Sequence, residues 1–189
     1  FVFCPYVPPG RFEEALNTVE GWKGATCIFA HQEFYGCKMG AIVSVEGDKW
    51  DLKNPFVVSG HIHSKQTPQK NIYYCGSSLQ QAFGESESNI IPVIFWDKKE
   101  CKIEERDLEL PRKKIVYTDM SKLDDFKIPD SQDKIKVTVS GSYDEFKAFK
   151  KTQKYKEMVK TGTKVVFKAK KEKKDEVPVE EVADERDFG

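Results

Sequence analysis

Three histidines carry most of the chemistry this sequence can offer. His61 and His63 belong to Gly60-His61-Ile62-His63, which follows the apolar run Phe56-Val57-Val58. His31 follows a second apolar run, Ala25-Thr26-Cys27-Ile28-Phe29-Ala30. Every imidazole in the 189 residues thus stands just past the end of an expected core strand. A lone histidine at a strand end is more often a hydrogen-bonded residue than a ligand. Three of them, two spaced as His-x-His, favour a metal site. In extended chain, alternate residues lie about 7 Å apart, so His61 and His63 can serve two different ions. Gly60 lacks the Cβ that would crowd the metals or a phosphate. Imidazole ligands suit Zn, Fe, Ni or Cu, with Mn as a harder option where carboxylates share the site. Two ions about 3.5–4 Å apart clamp a phosphoryl group and activate a bridging water. No bridging carboxylate is evident close to these histidines in the sequence.

The elements that must position them are mostly strands. Phe1-Val2-Phe3-Cys4 reads as a strand broken by Pro5, Pro8, Pro9 and Gly10. Phe12, Ala15, Leu16 and Val19 fall at helical spacing over 11–20, and Gly21 ends that run. The glycine-rich stretch 32–40 reads as a loop, and a long loop directly after a candidate ligand often lines a site. Asn71-Ile72-Tyr73-Tyr74-Cys75 predicts another strand, closed by Gly76-Ser77-Ser78. Residues 90–96 and 102–108 predict a β-hairpin around Asp97-Lys98-Lys99-Glu100. Composition changes at about Leu110, and 113–133 reads as a linker. Beyond it a β–α–β unit is expected over 134–169. Its first strand alternates over Lys134–Val139, and Ser142 with Glu145 forms a capping-box pattern. The stripe Phe146, Phe149, Tyr155, Met158 and Val159 has one gap. Residues 170–189 are Lys/Glu-rich with few apolar positions, and a disordered tail is expected there.

Composition narrows the class. Hydrophobic residues make up 39% and charged residues 33%, which suits a soluble protein with a solvated portion. No run approaches the roughly 18 apolar residues of a membrane span. No secretory leader is visible, so a cytoplasmic location is expected, or the host cytoplasm for a viral protein. The five cysteines are scattered without a CxxC pair, which argues against a disulfide framework. The formal net charge of zero hides a pattern. Residues 111–174 hold 19 basic against 9 acidic side chains, a block that suits a polyanion partner or, equally, a solvated lysine-rich surface.

Gly60-His61-Ile62-His63 resembles the GHxH motif of calcineurin-like metallophosphoesterases, and Phe29-Ala30-His31-Gln32 resembles their preceding histidine motif. The resemblance is closer to nuclease subunits of the SbcD type, phage and large-virus relatives included. It is carried by the entry 5–12, by the loop 31–40, and by Tyr74-Cys75-Gly76-Ser77-Ser78 with Gln80 and Phe83. It covers about residues 1–115, and more loosely 134–168, where such nucleases carry a small capping domain. Cys75 stands where the family usually has proline.

The resemblance implies an α/β (α+β) fold. Residues 1–112 would be the C-terminal part of a metallophosphoesterase β-sandwich flanked by helices, followed by the capping-like unit. It implies His31 and His61 as ligands of one metal and His63 of the other. The implied cofactors are two divalent ions, Mn2+ foremost, with Mg2+, Fe or Zn as options. The family's remaining ligands and its leaving-group histidine lie in motifs upstream of the stretch that Phe1 begins. The expectation is therefore a C-terminal fragment, inactive alone, with its catalytic residues elsewhere. The implied activity is that of a two-metal phosphodiesterase acting on DNA, with an SbcC-type coiled-coil ATPase as partner and a homodimer as usual assembly. Lys147, Lys150, Lys151 and Lys154 are the candidate DNA contacts. A phosphoesterase with a non-DNA substrate and a non-catalytic DNA-binding scaffold remain alternatives.

Overall fold

A computed structural model describes residues 1–97 and 100–170. The expected tail lies outside the described residues from Lys171 onward, as do Lys98 and Lys99 of the hairpin turn. The fold is mixed α/β, with several sheets and few helices.

Chain order gives β1 (Val2–Cys4), α1 (Phe12–Leu16), β2 (Cys27–Ala30), β3 (Lys38–Met39), β4 (Ile42–Val43), β5 (Phe56–Ser59), β6 (Gln66–Gln69) and β7 (Ile72–Tyr74). Five of these strands form one sheet in the order β1-β2-β5-β7-β6. The first four run parallel, and β6 is antiparallel to β7. Alternation sorts the side chains. Ile28, Val57, Ile72 and Tyr74 face one core with Phe12, Leu16, Trp22, Phe34 and Trp50. Cys27, Val58 and Tyr73 face the other. This period of two lets a short parallel strand be apolar on both faces. Each large side chain so buried contributes about 1.5–3 kcal/mol. Onto the second face packs the hairpin β8 (Ile91–Asp97) and β9 (Glu100–Arg106), through Ile94, Trp96 and Ile103. The expected helix over 11–20 shortens to the five residues of α1. Phe12 and Leu16 are buried, but Val19 is 41% exposed, so the last turn has no core to pack against.

The chain continues with β10 (Lys113–Asp119), β11 (Lys134–Gly141), α2 (Tyr143–Phe149), α3 (Gln153–Lys160) and β12 (Lys164–Ala169). Residues 113–133, expected as a linker, contain β10, which pairs in parallel with β11 from Lys113↔Lys134 to Asp119↔Ser140. Lysines at its start and a polar end hide its apolar Ile115 and Val116 from composition. The expected single helix is two. The capping box of Ser142 and Glu145 starts α2, and Thr152 caps α3 by accepting from Tyr155 N–H. The break accounts for the gap in the apolar stripe, since Phe149 and Tyr155 meet edge-on across it at 5.5 Å.

Asp119 ties the ends of this unit together. Its carboxylate accepts from Ser121 N–H at 3.1 Å and pairs with Lys170 at 2.7 Å. The Lys170 hydrogen bond foremost, and then Ser121, hold its pKa well below the usual aspartate range. A carboxylate depressed in the folded state adds stability above its unfolded pKa, about 3.9, and loses it as pH falls through the folded value. Asp119→Asn is therefore expected to lower the urea midpoint at pH 7. The gap to wild type should close as the pH drops below about 3.9. A gap independent of pH would contradict this assignment.

Candidate functional site

The three histidines lie at the carboxyl ends of the parallel strands, where open α/β sheets place their ligand sites. His31 leaves β2 and His61 leaves β5, and these two strands are neighbours in register, Ala30 opposite Ser59. The geometry brings their rings together. The imidazoles of His31 and His61 stand 5.2 Å apart between centroids and nearly perpendicular, at 87°.

Gly60 makes that approach possible, though not for the reason its position first suggests. A Cβ at residue 60 would fall 2.7 Å from Nδ1 of His31. The glycine is thus a cradle for the His31 ring itself.

His61 does not continue the strand. Its φ is +72°, in the left-handed region, and Ile62 N–H donates to Gly60 O at 2.9 Å, closing a γ-turn. Such a backbone costs about 1–3 kcal/mol in a non-glycine residue and collects at functional sites. Extended spacing from His61 to His63 is therefore replaced by a turn. The turn sends His61 toward His31 and onto the ring of Tyr6, stacked at 5.4 Å and 18°. Ile62 is buried, which anchors the turn.

His63 goes elsewhere. Its Nδ1 lies 3.0 Å from Oε1 of Glu85, a residue on the loop after β7. The other carboxylate oxygen of Glu85 accepts from the N–H groups of Gln81 and Ala82. Partial burial alone would raise the Glu85 pKa, but the His63 hydrogen bond and the two backbone donors outweigh it and hold the carboxyl below its ordinary value. His61, His63, Glu85, Lys38, Met39 and Gly40 line an open cleft of about 380 Å³. The loop after His31 thus reaches the site, as its length suggested, but as the small hairpin β3–β4.

A buried polar network fixes the chain behind His31. Gln32 is fully buried, and every polar atom of its side chain is paired. Its amide group donates to Val7 O and to Oδ2 of Asp48, and its Oε1 accepts from Val7 N–H. Asp48 Oδ1 accepts from Phe12 N–H at 3.1 Å. The Tyr74 hydroxyl donates to Gln32 O and accepts from Phe34 N–H, both at 2.8 Å. Ser59 Oγ accepts from Gln32 N–H at 2.9 Å. Burial pushes the Tyr74 phenol far above its ordinary range, so it stays a neutral donor.

As a metal centre the arrangement is partial. Two imidazoles face each other at right angles at an exposed strand end, a donor set that fits one ion. His63 is set apart on Glu85. Among the described residues no group of three or more His, Cys, Asp or Glu converges to hold a metal by itself. The cysteines do not help. All five are free thiols, and burial raises the pKa of each. Cys75 in particular is half-buried, with Sγ near Ser59 O.

The candidate DNA-contacting lysines divide. Lys147 and Lys151 are exposed and form no ion pair among the described residues. Lys150 folds back over the Phe146 ring at 5.3 Å, and the Lys154 ammonium donates to Asp124 O. No described helix is long and apolar enough to cross a membrane.

No family model matches the chain. It is 49% identical over 160 residues to "Putative phosphoesterase 244L" of Invertebrate iridescent virus 6, an alignment covering 81% of this chain and 57% of that protein. It is 47% identical over 177 residues to "Putative phosphoesterase 078R" of Invertebrate iridescent virus 3, covering 90% of this chain and 51% of that protein. The similarity supports a phosphoesterase family. The chain spans little more than half the length of these curated relatives, 57% and 51%. The phosphoesterase names agree with histidines gathered at the carboxyl ends of parallel strands. They reach no further, since neither name states a metal or a substrate.

Proposed function

We propose that this chain is part of a metal-dependent phosphodiesterase acting on DNA, of the SbcD nuclease-subunit type. The observation that carries the metal reading is the His31–His61 pair, set edge-on at 5.2 Å over a glycine that no other residue could replace without moving the ring. His31 and His61 hold one divalent ion and His63 the other, with Mn2+ first among the candidates and Mg2+, Fe or Zn as options. The remaining ligands come from outside this chain. Bound metal supplies an activated water and charge stabilisation on the phosphoryl oxygens. The chain's own residues do the placing. Tyr6 fixes the plane of His61 by stacking, the γ-turn aims it, and Lys38 lines the cleft as a cation suited to a phosphate oxygen.

DNA as substrate is supported by the excess of lysine over 111–174 and by exposed Lys147 and Lys151. An SbcC-type ATPase partner and a homodimer follow from the same proposal. The engagement of Lys150 and Lys154 within the fold favours, as a second reading, a phosphoesterase with a smaller substrate.

The two readings are separated by assaying the full-length protein with Mn2+ on duplex DNA and on a generic phosphate monoester. Cleavage of the duplex is expected, lost by at least about 100-fold in His31→Ala and in His61→Ala. Lys147→Ala and Lys151→Ala are each expected to weaken DNA binding whatever the sequence. Each should flatten its salt dependence by about 0.9 in log–log slope. Monoester hydrolysis without DNA cleavage would establish the second reading, and binding without cleavage of either would leave a scaffold.

A further inference from the structure

The loop after β7 is built around His63. Gly76 opens it with φ of +71°, and a Cβ there would fall 2.9 Å from His63 O. Ser77 N–H then donates to that same carbonyl at 3.0 Å. Two buried amides clamp the loop. Gln80 accepts from Lys113 N–H at 2.6 Å and donates to Glu85 O at 3.0 Å, and Asn89 donates to Ser77 O at 3.0 Å. The backbone of Glu85 is therefore fixed by Gln80. Its side chain is fixed by Ala82 and Gln81, and its free oxygen meets Nδ1 of His63 at 3.0 Å. So many constraints on a surface loop exceed what a chance ion pair needs.

We propose that Glu85 is a positioning residue for His63. A carboxylate only accepts, so it holds the proton on Nδ1 and leaves the Nε2 lone pair free on a ring that lines the same cleft as His61 and Lys38. A carboxylate behind a ligating imidazole sets both tautomer and ring orientation, and its loss typically weakens metal binding about 10–100-fold. The metal half of this proposal rests on the function proposed above, and the tautomer half does not.

The test is the nitrogen spectrum of the full-length protein, labelled with 15N-histidine, freed of metal and held at about pH 8. His63 is assigned with a His63→Gln variant. The wild type is expected to show His63 as the single Nδ1–H form. In Glu85→Gln the one remaining oxygen is claimed by the Gln81 and Ala82 N–H groups, so the amide N–H faces His63 and should turn it to the Nε2–H form, whereas Glu85→Ala should release a mixture. In the same proteins the Mn2+ dissociation constant is expected to rise about 10–100-fold in Glu85→Ala and at least as much in Glu85→Gln. A tautomer mixture for His63 in the wild type overturns the proposal. So does a Glu85→Ala protein whose tautomer changes while its Mn2+ affinity does not. A wild-type protein that binds no Mn2+ overturns the metal reading instead, while its His63 spectrum still decides the Glu85 bond.

Discussion

Gly60→Ala is expected to weaken Mn2+ binding by the full-length protein about 10–100-fold while changing its stability little. The two effects separate because they have different causes. Glycine at 60 has no positive φ, so alanine fits the backbone and gains about 0.4–1 kcal/mol by restricting the unfolded chain. Against that gain stands a Cβ placed 2.7 Å from Nδ1 of His31. Overpacking of this kind costs about 1–3 kcal/mol when the neighbour is locked. Here the neighbour is an exposed ring that can swing away, so relief comes from the imidazole leaving its place opposite His61. The lost geometry then appears in the metal titration. An unchanged Mn2+ dissociation constant in Gly60→Ala would mean that the His31–His61 juxtaposition is not what binds metal.

Asp48→Ala is expected to cost about 2–4 kcal/mol in the urea-extrapolated free energy of unfolding. The aspartate is buried, and each oxygen has its own donor, Phe12 N–H and the Gln32 amide. Truncation orphans both donors, and each costs about 1–3 kcal/mol when left without a partner. The sum falls short of the maximum because water can enter a site near the surface. Asp48→Asn keeps one acceptor and should lose about half as much. Its amide would face that of Gln32, which cannot flip without breaking its paired contacts to Val7. The network lies directly behind His31, so the loss should also loosen the loop that carries Tyr6. An Asp48→Ala protein within about 0.5 kcal/mol of wild type would contradict this assignment.

Much of the frame is legible in the sequence because short parallel strands buried on both faces leave unbroken apolar runs. Cys27–Ala30, Phe56–Ser59 and Ile72–Tyr74 follow such runs closely. The hairpin over 91–106 follows from two apolar-rich segments around a charged turn. The histidines stand out because all three end or follow those runs. Their partners could not be read the same way. Glu85 reaches His63 from 22 residues away, through a loop whose path is set by Gln80 and Asn89. Loop spacing carries no period from which such a contact could be inferred. The γ-turn at His61 was equally hidden, since histidine is not a residue that advertises positive φ. Glu46-Gly47-Asp48 has the composition of a turn, and only the fold directs the Asp48 carboxylate inward to Gln32. The break between α2 and α3 left a trace, a five-residue gap in the stripe between Phe149 and Tyr155, with Thr152 available as a cap. In β10 the adjacent Ile115 and Val116 are flanked by Lys113, Lys114 and Asp119, so composition spoke for a linker.

Anomalous diffraction at the manganese edge, from crystals of the full-length protein soaked in Mn2+, puts the central claim to its most direct trial. The expected result is a peak between the imidazoles of His31 and His61, within bonding distance of a ring nitrogen of each, and a second peak at Nε2 of His63. A well-diffracting Mn2+-soaked crystal with no anomalous density at His31 and His61, or with its only peak elsewhere, would contradict the account.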